Sequence, residues 1–144
     1  MITGIVAAII LFLVFSVVVA VARDKGPGPV DAAVAYELAW DRLDFEALFT
    51  LSGAELRDGR DRRDFVSAKQ TAYEHQHALG GLVERVGIEE AANSREVAVV
   101  ITRVELRDGS TVHNRIQLAR RNSRWVVVAY QLVPSDEGSA QASG

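Results

Sequence analysis

VAVVITRVELRDGSTVHNRIQLARRNSRWVVVAYQLV, residues 97–133, alternates apolar and polar positions with few interruptions. A period of two marks β-strands, whose successive side chains point to opposite faces. Residues 82–91 carry the same alternation, so runs stand at 82–91, 95–106, 111–120 and 124–133. AANS, RDGS and RRNS separate them, and these are turn-forming clusters. Connections this short join antiparallel neighbours, which predicts a four-stranded meander. Even positions hold the apolar rows: Leu82, Val86 and Ile88; Val100, Val104 and Leu106; Val112, Ile116 and Leu118; Val126, Val128, Tyr130 and Leu132.

Directly paired residues share a face, so one core requires even to pair with even. A two-residue Asp108-Gly109 turn would pair even with odd. A three-residue loop, Arg107-Asp108-Gly109 with Gly109 left-handed, keeps the parity and is the expected closure. The pentapeptide ELRDG also stands at 55–59, between unrelated flanks. There it ends a helical turn, so both copies need a glycine at positive φ and neither marks a duplication.

Upstream the period is helical. Pro29 suits a first helical turn, and residues 29–43 are apolar around most of the circumference. Asp44 reads as the N-cap of a second helix, FEALFTL. Asp61 or Asp64 caps a third, with Phe65, Ala68, Ala72 and Leu79 as its stripe and Gly80-Gly81 as its end. The fold class is α+β: about three helices packed on the four-stranded antiparallel sheet.

The stretch AYELAWDRLDFEALFTLSGAELRDGRDRRDFVSAKQ resembles the helical half of the nuclear transport factor two-like superfamily, a cystatin-like α+β cone. The matching letters are Ala47, Leu51, Ser52, Glu55, Leu56, Arg57 and Arg63-Asp64-Phe65, and they resemble the small membrane- or lipid-anchored bacterial members. The resemblance covers residues 29–134. It implies a curved sheet wrapped on helices, often a pocket and often a dimer. It transfers no catalytic set.

Residues 2–22, ITGIVAAIILFLVFSVVVAVA, carry no charge. They span about 31 Å as a helix, one hydrocarbon core. No Lys or Arg precedes them, which disfavours a cleavable signal peptide and predicts an uncleaved single-pass anchor at residues 1–22. Arg23 and Lys25 follow immediately, so the positive-inside rule places the domain in the cytoplasm, with the extracytoplasmic side as the alternative. Residues 23–28 form a linker, 29–134 the cone domain and 135–144 a disordered tail. Lysine is nearly absent in favour of arginine, a bias of GC-rich bacterial genomes.

A net charge of −3 argues against nucleic acid as partner. Without cysteine the chain has no disulfide and no thiolate metal site. His75 and His77, two apart at a helix end, do not converge on one ion; His75 is expected partly buried. No catalytic residues, metal or cofactor are expected. Glu37 and Asp41 lie one helical turn apart; with Tyr36, Trp40, Tyr73 and Tyr130 they are the candidate lining of a pocket. Their plainer reading is a solvated acidic stripe over an aromatic core. On the odd face of the sheet, Val97, Val99, Ile101, Trp125 and Val127 make a surface too apolar for water. This predicts an interface with a protein partner or in a homodimer, and the function expected is a membrane-anchored binding or assembly module without catalysis. A small-molecule or catalytic pocket in the cone is the alternative.

Overall fold

The computed structural model describes residues 27–134. Helix α1 runs Pro29–Asp41, α2 Phe45–Leu51 and α3 Arg62–Ala72, followed by strands β1 Val83–Asn93, β2 Val97–Leu106, β3 Thr111–Arg121 and β4 Arg124–Leu132. The sheet order is β1-β2-β3-β4, antiparallel throughout. Helix α1 lies against all four strands. Residues 2–22, the expected anchor, and the tail from 135 lie outside the described residues. No helix among the described residues is long and apolar enough to cross a membrane.

Local chemistry explains the helices. Pro29 occupies the first turn of α1, and Asp31 accepts the Gly28 N–H at 3.1 Å, satisfying one orphan donor. The buried face of α1 is made of Ala32, Ala33, Tyr36, Glu37 and Ala39, so small residues let it approach the sheet closely. Asp44 caps α2 by accepting the Ala47 N–H at 3.1 Å, and Asp61 caps α3 through the Asp64 N–H at 2.9 Å. After α2, the Gly53 N–H donates to the Val127 carbonyl at 2.7 Å. A Cβ at Gly53 would stand 3.1 Å from Val128 Cγ1 and 2.6 Å from Glu55, so only glycine fits this approach to β4.

Helix α3 ends at Ala72, short of the glycine pair expected to stop it, and Leu79 lies exposed in a 3-10 turn. The reason is Asp41. Its carboxylate accepts the N–H groups of Leu82 and Val83 at 2.8 and 3.0 Å, and its carbonyl accepts that of Gly81 at 2.8 Å. The chain must leave the helix early to reach this clamp, which starts β1.

The β2–β3 hairpin closes as expected. Leu106 N–H donates to the Ser110 carbonyl at 2.9 Å, leaving Arg107–Gly109 as the loop, and Gly109 has φ +90°. Val104 therefore pairs with Val112, and Thr102 with Asn114. The β3–β4 hairpin does not follow the even rule. Arg121 pairs with Arg124 across only Asn122 and Ser123, both left-handed at φ 52° and 63°. Two-residue loops pair even with odd, so Leu118 meets Val127 and Arg120 meets Trp125. A β-bulge at Val128 then restores parity, and Ile116 meets Tyr130.

Two expected interface residues change faces as a result. Val127 is 0 % exposed in the core, and Trp125 packs partly buried against the same core. Neither stands on the open face of the sheet. Leu82, Ile88 and Leu132, expected inside, are exposed; Leu82 precedes β1, and the register shift before Arg85 pairs Val83, not Leu82, with Leu106.

Candidate functional site

Glu37 carries an acidic side chain, yet is 4 % exposed. It leaves α1 toward the middle strands, where Thr102 and Asn114 face it from directly paired positions on β2 and β3. Glu37 Oε1 accepts Thr102 Oγ1–H at 2.9 Å and Asn114 Nδ2–H at 2.8 Å; Oε2 accepts the Tyr130 hydroxyl at 2.8 Å. Asn114 Nδ2 also donates to the Tyr130 oxygen at 2.9 Å. All three partners are neutral donors, and together they occupy both carboxylate oxygens. Burying such a carboxylate is costly unless it is hydrogen-bonded in this way. Burial, then the Glu37 carboxylate beside it, pushes the Tyr130 phenol well above its ordinary range. Tyr36 stands edge-on to Tyr130 at 5.2 Å, and burial raises its pKa too.

The structure thus joins Tyr36, Glu37 and Tyr130. Trp40 and Tyr73 form a neighbouring cluster at 5.9 Å, extended by Phe45 at 5.7 Å from Tyr73. Trp40 Nε1 is buried with no hydrogen-bond partner, although the indole is near enough to the Tyr36 hydroxyl to offset part of its shift. Asp41 is taken out of this group by its clamp on β1. The solvated acidic stripe expected of Glu37 and Asp41 does not form, because one is buried in the cone and the other binds backbone. Thr102 and Asn114 were not among the candidates. Their signal was available: both are polar at even positions, in rows otherwise apolar, and the three-residue loop makes them direct partners. Two paired polar side chains on a core row require a third polar group above them.

Among the described residues, no group of three or more His, Asp or Glu is gathered closely enough to hold a metal ion. His75 is exposed, not partly buried, because α3 ends before it. His113 lies on the outer face of the sheet, 3.5 Å from Glu89, which also stands 3.5 Å from Arg103.

That outer face is the second candidate. Val97 is 57 % exposed, and Val99 and Ile101 follow it along β2. Ala92 lies beside Val99 from β1, and Ala119 beside Val97 from β3. The other end of the face is charged, with Arg85 on Glu105 at 2.6 Å and the Glu89, Arg103 and His113 group. Beside β4, where the chain after α2 runs along its edge, Glu55 pairs with Arg121 of β3 at 2.6 Å, and Val126 is covered to 6 % exposure.

Three helices cover one face of a four-stranded antiparallel meander, an α+β architecture. Solved structures resemble it to different degrees. A Campylobacter jejuni protein provisionally named an NTF2-like transpeptidase matches at 16 % identity and a TM-score of 0.55, over 70 % of this chain and 97 % of that one. An NTF2-like protein of unknown function from Silicibacter pomeroyi matches at 15 % identity and a TM-score of 0.45, over 83 % and 98 %. A SEC-C motif-containing protein from Rhodopseudomonas palustris matches at 16 % identity and a TM-score of 0.47, over 68 % and 73 %. The Campylobacter jejuni match, with a TM-score above 0.5, gives the chain the NTF2-like fold, and at 16 % identity the likeness carries the fold alone. No protein-family model matches the sequence, and no curated protein does.

Proposed function

We propose that this domain is a non-catalytic assembly module, held at a bacterial membrane by residues 2–22 and docked through its outer sheet face onto a second copy of itself. Arg23 and Lys25 favour the cytoplasmic side for it. The observation that carries the reading is the contiguous apolar patch of Val97, Val99, Ile101, Ala92 and Ala119 on a face that no helix among the described residues covers. A second copy suits it by charge. Glu90, Ile101 and Arg115 stand in one row across three strands. A two-fold axis running along β2 through Ile101 sets Glu90 of each copy opposite Arg115 of the other. The alternative, a ligand pocket around Glu37, is supported by the buried carboxylate and its phenol, but the oxygens it would offer a ligand are already bonded.

Sedimentation of the detergent-solubilised full chain tests this. The wild type should sediment as a dimer. Val99→Glu should sediment as a monomer with an unchanged far-ultraviolet circular dichroism spectrum, because Val99 lies outside the core. A monomeric wild type would overturn the reading.

A further inference from the structure

A groove of about 230 Å³ opens between the first turn of α1, the end of α2 and the β3–β4 turn. Pro27, Ala32, Ala35, Leu51 and Trp125 supply its apolar wall, and Asp31 and Arg124 line it with opposite charges. Arg120 lies directly across from Trp125 in the strand pairing, on the same side of the sheet. The Arg124 guanidinium donates to the Thr50 carbonyl at 3.3 Å, which holds it over the mouth. Small-molecule sites run to roughly 300–1,000 Å³, so this groove is too small and too shallow to enclose a ligand. It suits contact with an extended surface.

Its position identifies that surface. Pro27 lines the groove and is also where the chain enters the domain. Only residues 23–26 separate it from the apolar run that ends at Ala22. Fully extended, that stretch reaches at most about 18 Å. The reach is comparable to one headgroup layer plus one screening length at physiological salt. A tryptophan between two arginines, so placed, has the chemistry of the bilayer interface: the indole settles at headgroup level, and arginine pairs with phosphate. Anionic lipid attracts each arginine brought to its surface.

We propose that this groove seats on the bilayer, with Trp125 entering the boundary between headgroups and acyl chains and with Arg120 and Arg124 on lipid phosphates. The proposal rests on the anchored reading above and names the surface that the anchored domain presents to the membrane. It assigns a use to the face change of Trp125, which the dimer face leaves unexplained.

The test uses the full chain carrying Trp40→Phe, so that Trp125 is the single indole, reconstituted in nanodiscs containing phosphatidylglycerol. Lipids brominated near the top of the acyl chain should quench Trp125 emission at least twofold. Arg120→Gln with Arg124→Gln should remove most of that quenching, as should replacing phosphatidylglycerol by phosphatidylcholine. Circular dichroism confirms folding of each variant. Co-flotation with lipid reads the anchor separately. A chain that co-floats but shows no bromine quenching overturns the groove proposal and leaves the anchor standing. A chain that does not co-float overturns both. Trp125 shielded from aqueous acrylamide yet untouched by bromine means that protein covers the groove, and this too overturns the proposal.

Discussion

The β2–β3 hairpin closes through three residues and the β3–β4 hairpin through two. The first keeps even positions opposite even, so Thr102 and Asn114 arrive together beneath α1. The second sets even against odd, which turns Trp125 and Val127 inward. If β4 continued in that register, Tyr130 would point outward. The bulge at Val128 returns it to Glu37. One strand thus sends Trp125, Val127 and Tyr130 to the same side, although their numbers do not share a parity. Loop length sets which face a strand shows, and a single extra residue resets it partway along.

Inserting one alanine between Ala129 and Tyr130 attacks this difference directly. With that second extra residue Tyr130 moves to the open face, Glu37 loses one of its three donors, and the Tyr36 edge contact is lost. The domain should lose about 2–4 kcal/mol, since a buried polar group left without its partner carries its full desolvation cost. Urea unfolding, read as a shift in midpoint at constant slope, measures it. A loss below about 1 kcal/mol would mean that the strand absorbs the insertion without turning Tyr130 outward.

The legibility of the chain follows the same difference. Gly109 advertises a left-handed loop residue, so the first hairpin and its register could be read from the letters. At the second, the left-handed positions are held by Asn122 and Ser123. Asparagine tolerates that conformation, but serine seldom adopts it, so RRNS reads as a turn without revealing its length. The Trp125 assignment failed there, and with Val127 it removes two of the five expected interface residues. Glu37 was hidden for another reason: a carboxylate on a helix is normally solvated, and only the tertiary meeting with Thr102, Asn114 and Tyr130 makes burial tolerable. The helix caps at Asp44 and Asp61 were readable because capping is local.

A narrower change keeps the bulge and removes only the hydroxyl it delivers. Tyr130→Phe should cost about 1.5–3 kcal/mol at neutral pH, the range for a hydrogen bond to a charged group. It should also alter the alkaline limb. In the folded wild type the Tyr130 and Tyr36 phenols hold their protons above the ordinary value of 10.0. The unfolded chain releases them from about pH 10. Stability from this source is therefore complete below pH 10 and falls above it, by up to about 1.4 kcal/mol per pH unit for each phenol. Phenylalanine has no proton to hold, so the variant should lose stability with roughly half the slope. An unchanged slope in urea titrations between pH 9 and 11 would show that Tyr130 is not held neutral by its surroundings.

The smallest expected effect lies in the turn itself. Ser123 has φ 63°, a conformation that costs a residue with a Cβ and costs glycine little. Asn122 before it is already well suited to the first position of a type I′ turn. Ser123→Gly completes the Asn-Gly pair favoured there, while the unfolded chain gains conformational freedom that opposes the benefit. The relief from strain is about 1 kcal/mol and the entropic opposition about half of it, so the net gain should be about 0.5 kcal/mol. Thermal unfolding resolves a gain of this size as a rise of about 2–4 °C for a domain near 110 residues. Because Ser123 also lies at the mouth of the groove, the same variant separates turn from groove: a stability gain with unchanged quenching of Trp125 places its effect in the backbone alone. If Ser123→Gly destabilises instead, the serine side chain contributes to the native turn more than its strained backbone costs. The two-residue closure would then be held by that side chain and not by the turn's conformational preference.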